Sequence, residues 1–194
     1  AVSVIRILLA LAAKWNWNVV QGDVVTAFLC SDMDTDVWIS VPNYFAKGSK
    51  GDEKGYTIRK LLKGIPGIPQ GPRLFHKKCH SIFIKAGLTQ CKSEPCLYYS
   101  TTKHLYVVVW VDDIFLFFPK YAQKHADELW KTLQQHLDLD DYDEIDDCLS
   151  CTIKRDRNNN IITLSQEKSI RNLLNKIHMS ECSEVDTPLV HNTK

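Results

Sequence analysis

Three aspartates carry the chemistry this chain could perform. Asp112 and Asp113 interrupt LYVVVWVDDIFLFF (residues 105 to 118), two apolar runs that read as the strands of a buried hairpin with both acids at its tip. A tight hairpin turn favours Asn-Gly, Asp-Gly or Gly-Gly, so two acids between apolar strands are an uncommon choice. Such acids can simply solvate a turn. Adjacent carboxylates repel unless a cation lies between them, however, and a third acid, Asp23, closes the apolar pair Val19-Val20 upstream. Three acids from two neighbouring strand ends make a hard-oxygen site suited to Mg²⁺ or Mn²⁺ rather than zinc. Two such ions about 3.5–4 Å apart can steady both the attacking and the leaving oxygens of a phosphoryl transfer.

The elements that must position these acids follow from periodicity. Residues 2 to 14 carry apolar side chains at helical spacing (Val4, Ile5, Leu8, Leu9, Ala12), and Val19 to Asp23 reads as a strand. Asp36 to Val41 alternates as a strand closed by Pro42, Lys47 to Lys54 is a polar loop, and order resumes from Tyr56 to Leu62. The Gly and Pro density from Gly64 to Pro72 forbids a continuous helix or central strand, and such a loop lets backbone approach a ligand closely. Arg73 to Ala86 reads as a helix between Pro72 and Gly87, with Lys77 and Lys78 outside. Cys96 to Ser100 pairs through Thr101 to His104 with the strand that enters Asp112. Tyr121 to Leu137 is a second amphipathic helix with Ala122, Ala126, Leu129, Trp130, Leu133 and Leu137 inward. Leu149 to Lys154 and Ile161 to Leu164 form a hairpin around residues 157 to 160, and Ser165 caps a last helix through Ile170, Leu173, Leu174 and Ile177. The expected fold class is α+β.

Composition bounds the rest. The 194 residues, 44% hydrophobic, suffice for one domain with a core. The early apolar run Ile7 to Ala13 is about half of the ~20 residues a membrane span needs, so no membrane partner is expected. Natural chains start with Met, so Ala1 suggests an excised piece. A net charge of +1 looks low for a polyanion binder. Seven carboxylates and no base lie between Asp138 and Asp147, though, leaving the remainder basic, with Lys60, Lys63, Arg73, Lys77 and Lys78 around the central loop able to face a nucleic-acid backbone or simply water. The acidic stretch fails as a calcium loop, because Tyr142 and Leu149 occupy positions where ligands are needed; it reads as a solvated loop facing away from nucleic acid. Seven cysteines at irregular spacing argue against a disulfide framework and for a reducing compartment. Cys148 with Cys151, and Cys91 with Cys96, lack the flanking turn residues of a zinc knuckle.

Three ordered motifs, DVVTAFL (23 to 29), GIPQGPRLF (67 to 75) and WVDD (110 to 113), resemble the successive palm motifs of a copia-type LTR-retrotransposon reverse transcriptase, a piece of a Pol polyprotein. The likeness extends from IRILLALAA (5 to 13) through SQEKSIRNLL (165 to 174) to Thr187-Pro188-Leu189. It implies a polymerase palm, an antiparallel sheet backed by helices with a ferredoxin-like core, with partial fingers and the start of the thumb or connection. Residues 1–194 would be one reverse transcriptase fragment, 1–120 palm with partial fingers and 121–194 the rest of the palm and the primer-grip region, with upstream fingers and downstream ribonuclease H outside it. The implied activity is RNA-directed DNA polymerisation, a nucleotidyl transfer to a primer 3′-hydroxyl. Asp23, Asp112 and Asp113 would be catalytic and, with Val24, would hold two Mg²⁺ or Mn²⁺ ions. Thr26, Ala27, Phe28 and Gln70 would meet the nucleotide, Phe28 excluding ribose by its bulk, while Gly71, Arg73, Trp110 and Val111 would meet template or primer. Implied partners are an RNA or DNA template with primer, deoxynucleotide triphosphates, and the integrase and ribonuclease H of the same polyprotein. The implied location is intracellular, in cytoplasmic virus-like particles and the nucleus.

The chain also departs from the family. Pro66 and Pro69 replace an aromatic and a lysine, Trp110 replaces the usual Tyr and loses its hydroxyl, and Ser150-Cys151 stand where relatives carry Gly and an aliphatic residue. These changes keep open a decayed, non-catalytic palm that binds nucleic acid or a protein. A nucleotidyl transferase or cyclase acting on free nucleotides is a third reading, with no evident need for Gln70 or the primer hairpin.

Overall fold

A computed structural model describes residues 2–45 and 55–183 of the chain. The polar loop expected from Lys47 to Lys54 and the closing Thr187-Pro188-Leu189 lie outside the described residues. Two compact units divide the chain, one ending at Glu144 and one starting at Ile145. The first contains α1 (Val2–Trp15), β1 (Asn18–Asp23), β2 (Trp38–Pro42), β3 (Tyr56–Lys60), α2 (Gly71–Lys85), β4 (Thr89–Gln90), β5 (Leu97–Ser100), β6 (Leu105–Trp110), β7 (Asp113–Phe118), α3 (Gln123–Gln134) and β8 (Asp143–Glu144). Six strands form one sheet in the order β4-β5-β6-β7-β1-β8, each neighbour antiparallel, while β2 and β3 pair as a separate ribbon. Within that sheet β1, α2, β6, β7, α3 and β8 follow the split β-α-β order, in which the first strand sits between two that arrive later.

The apolar runs around Asp112 are explained by burial on both faces. Side chains alternate along a strand, so Val107, Val109, Ile114, Leu116 and Phe118 share one face, where they meet Phe75, Cys79 and Phe83 of α2 and Ala126, Leu129, Trp130 and Leu133 of α3 in a single core. Val19, Val108, Phe115 and Phe117 are also buried and belong to the other face, which α1 covers with Ile5, Leu8, Leu9 and Ala12. Each such Val, Leu, Ile or Phe side chain contributes about 1.5–3 kcal/mol through removal from water. Gly22 in β1 leaves room for α3, since a Cβ there would overlap the Trp130 ring.

The second unit holds β9 (Asp147–Cys148), β10 (Cys151–Asp156), β11 (Ile161–Ser165) and α4 (Glu167–Lys176), with its sheet in the order β11-β10-β9. Asp156 Oδ1 accepts the Asn158 and Asn159 N–H groups and shapes the expected turn. Leu149 and Ser150 both take positive φ in the two-residue turn that sets Cys148 and Cys151 opposite each other. Ile170 and Leu173 of α4, and Ile177 just past its end, are exposed.

Four expectations need correction. Asp113 is the first residue of β7 rather than half of the hairpin tip; the tip is Val111-Asp112, because Trp110 and Asp113 already pair. Helix α2 begins at Gly71, not Arg73, as Pro72 fits a first turn where its missing N–H costs nothing. Gln166 flanks α4, although the Ser165 hydroxyl still accepts the Glu167 N–H at 3.2 Å. The acidic stretch is not a free loop: its interspersed Leu139 and Ile145 are buried, and Asp143-Glu144 pairs with β1 as the sixth strand.

Candidate active site

The sheet register brings the three aspartates to one end of the central strands. Asp23, the last residue of β1, lies directly across from Asp113, the first of β7, so their side chains leave the same face. The Val24 N–H donates to the Asp112 carbonyl at 2.9 Å and ties the hairpin tip to the end of β1. Val111 takes φ 58°, a left-handed conformation that is strained for a β-branched residue and that presents Asp112 at the turn. Asp23 and Asp112 line one cavity of about 220 Å³ together with Val24, Thr26, Ala27, Phe28, Leu29 and Pro66.

The acidic stretch completes the electrostatics. Val25 N–H donates to the Asp138 carbonyl, Leu139 bridges to Val24, and the Trp130 indole N–H donates to the Asp140 carbonyl at 3.0 Å, so the strip lies along the end of β1. Burial raises the Asp23 pKa above its ordinary value, the Asp112 and Asp140 carboxylates push it the same way, and a hydrogen bond from Val24 opposes them. Asp140 escaped a reading based on charge alone. Its signal was the apolar punctuation of the acidic run by Leu137 and Leu139, which marks chain that docks.

Among the described residues no three acid, histidine or cysteine side chains stand close enough to enclose a metal by themselves. Two carboxylates in one cavity nevertheless fit magnesium, which is usually held by one or two carboxylates with water and substrate phosphates completing its shell. The like-charge crowding at Asp23 is the condition a divalent cation relieves.

The other expected residues divide into two groups. Thr26, at φ 53°, turns the chain into a short helical turn from Ala27 to Cys30 and puts Phe28 in the cavity wall. Two glycines crowd Phe28: a Cβ at Gly71 would come within 3.3 Å of its ring, and one at Gly64 within 2.7 Å of its carbonyl oxygen. Gln70, Gly71, Arg73, Trp110, Val111 and Asp113 do not line that cavity. Arg73 is engaged in a two-pronged contact with Asp34 at 2.6 and 2.8 Å, and Lys60 and Lys63 pair with Asp36 and Asp32. Lys78 is half-buried and donates to the Cys30 carbonyl at 2.5 Å. The basic cluster is thus largely satisfied by the chain's own oxygens.

Residues 1–191 match the family described as reverse transcriptase (RNA-dependent DNA polymerase). The chain is 31% identical over 193 residues to a retrovirus-related Pol polyprotein from transposon TNT 1-94 of Nicotiana tabacum, covering 98% of this chain and 14% of that protein. It is 28% identical over 192 residues to the corresponding polyprotein from transposon RE1 of Arabidopsis thaliana, again covering 98% of this chain but 13% of the relative. A putative transposon Ty5-1 protein of Saccharomyces cerevisiae is 27% identical over 169 residues, 86% of this chain and 53% of its own length.

Proposed function

The chain belongs to the reverse transcriptase (RNA-dependent DNA polymerase) family, of the copia type, and we propose that it is the palm of an RNA-directed DNA polymerase that adds deoxynucleotides to a primer 3′-hydroxyl. The observation that supports this reading best is the convergence of Asp23 and Asp112, distant in the chain, on one cavity where their like charge is uncompensated. In the proposal these two carboxylates and the Val24 backbone carbonyl hold two Mg²⁺ or Mn²⁺ ions, with Asp113 alongside. Such a pair supplies activation of the primer hydroxyl and neutralisation of charge at the reacting phosphate.

The remaining work belongs to the chain's own groups. Thr26 and Ala27 position the incoming triphosphate against the cavity floor, and Phe28, held by Gly64 and Gly71, sets the space left for the sugar and favours deoxyribose by bulk. Trp110 and Val111 at the hairpin end, with Gln70, Gly71 and Arg73 at the start of α2, are assigned to template and primer. Catalysis on this plan is positioning plus charge stabilisation and needs no side-chain nucleophile. Template, primer, deoxynucleotide triphosphates, and the integrase and ribonuclease H of a surrounding polyprotein are the proposed partners, in an intracellular particle or the nucleus.

Primer extension on an RNA template, with Mg²⁺ or Mn²⁺, tests the reading. Asp112→Asn is expected to abolish extension, and full activity in that variant would remove the metal argument. A second reading, a palm that binds nucleic acid without extending it, draws on the engagement of Arg73 by Asp34 and on the replaced residues Trp110, Pro69 and Ser150. Binding of template-primer that is equal with and without Mg²⁺, and that leads to no extension, would favour it.

A further inference from the structure

A second and larger cavity, about 520 Å³, runs between the chain segment after the Ala27–Cys30 turn, Lys63, and the outer face of α2; it shares no lining residue with the cavity of Asp23 and Asp112. Its chemistry is opposite. Lys77, Ser81 and Lys85 recur every fourth residue along α2, which stacks them on one face, and Lys63 and Lys78 reach the same space from either side. Two carboxylates, Asp32 and Asp34, also line it, so four ammonium groups face two acids, with His136 at the edge. The pairing is partial. Lys63 lies 2.6 Å from Asp32, Lys77 only 3.7 Å from an Asp34 that Arg73 already holds, Lys78 gives one of its three N–H groups to the Cys30 carbonyl, and no carboxylate among the described residues is within ion-pair distance of Lys78 or Lys85. At the wall of the cavity Ser31 is 3% exposed, and its hydroxyl has no hydrogen-bond partner among the described residues. A buried hydroxyl left unpaired costs free energy, and here it borders a space with excess positive charge.

We propose that this cleft is a phosphate-binding site, in which the Lys77, Lys78 and Lys85 ammonium groups and the Ser31 hydroxyl hold one tetrahedral phosphate group. Ammonium groups and a hydroxyl all donate to phosphate oxygens, and a charge-assisted bond to phosphate is about twice as strong as a neutral one. The acids of the wall add selectivity: they hold Lys63 and Arg73 in place and leave α2 as the donor face. The phosphate can belong to a small phosphate ester or to a nucleic-acid backbone, and these share the chemistry of recognition. The proposal stands on unit-one geometry alone, so it survives or fails independently of the polymerase reading.

The test is calorimetric titration of the 194-residue chain with inorganic phosphate in metal-free buffer. Saturable binding is expected, weakened about 10-fold or more in Lys77→Gln/Lys85→Gln and several-fold in Ser31→Ala; both lysines are exposed, so the double variant should fold, and its far-UV circular dichroism checks that it has. No saturable binding by the parent chain, or affinity in the folded double variant within two-fold of the parent, overturns the proposal. A second arm titrates duplex oligonucleotide over a salt series. If the double variant loses phosphate binding and its salt slope also falls by about 0.9 for each contact removed, the source is a backbone. If phosphate binding is lost with the slope unchanged, the source is a small phosphate ester.

Discussion

Two groups of aspartates in the first unit sit in opposite electrostatic settings. Asp32 and Asp34, along the basic cleft, are held below the ordinary carboxylate value, first by hydrogen bonds from Lys63 and Arg73 and further by the nearby cationic charge. Asp23, at the sheet end, is pushed above it by burial and by two more carboxylates. The same side chain is thus neutralised in one place and crowded in the other. Folding on its own would favour the first arrangement everywhere, so the second is the setting in which the proposed cations would relieve the crowding.

The largest effect is expected from removing one of the crowded acids. Asp112→Asn should lower primer extension by about 10²-fold or more, the scale at which a charge-stabilising group is missed in a transition state. The same variant should bring the Asp23 pKa down toward its ordinary value, readable by carbon-detected NMR titration. An unmoved Asp23 would break the comparison, because it would mean that Asp112 contributes nothing to the crowding.

Next comes Gly22→Ala. The added methyl meets Trp130, which carries the Asp140 carbonyl on its indole, so the variant should lose about 1–3 kcal/mol in denaturant unfolding and displace the acidic strip from Asp23. Val111→Gly should act in the opposite sense, raising stability by up to about 1 kcal/mol as left-handed strain at the hairpin tip is relieved. Slower extension in that variant, despite its added stability, would show that the strain positions Asp112.

The smallest effect is in pH dependence, and its sign separates the two settings. The raised Asp23 pKa means that its ionised form is disfavoured in the fold, so its contribution is most favourable below the unfolded carboxylate value and falls as pH rises through the folded one. Asp34 behaves conversely, stabilising above the unfolded value and losing that contribution as pH falls through its depressed folded pKa. Melting temperature followed across the carboxylate range should therefore lose its decline with rising pH in Asp23→Asn, and its decline with falling pH in Asp34→Asn. Identical profiles for the two variants would erase the distinction.

Much of the first unit was legible because burial writes itself into periodicity. Ala122, Ala126, Leu129, Trp130, Leu133 and Leu137, expected inward on a helix from Tyr121 to Leu137, are all buried although α3 itself spans only Gln123–Gln134, and the two apolar runs around Asp112 are the two most enclosed strands described. The convergence of Asp23 with the hairpin was suggested by motif order, but the register that sets it opposite Asp113 is a property of the sheet and is absent from local sequence. Positive φ at Val111, Leu149 and Ser150 gave no signal, since none is a glycine and the turns are imposed by their flanking strands. The acidic strip was misjudged because its charges outvote a buried aliphatic residue on any composition scale, whereas in the fold Leu139, buried and bridged to Val24, fixes where the strip docks.

The contact between Gly22 and Trp130 ties the histories of two positions together. No side chain can be gained on the strand until the indole has shrunk, and an indole that shrinks first leaves a hole beneath the acids and removes the donor holding Asp140. Viable change at either position therefore passes through a weakened intermediate, which makes the two a single inherited character rather than two independent letters.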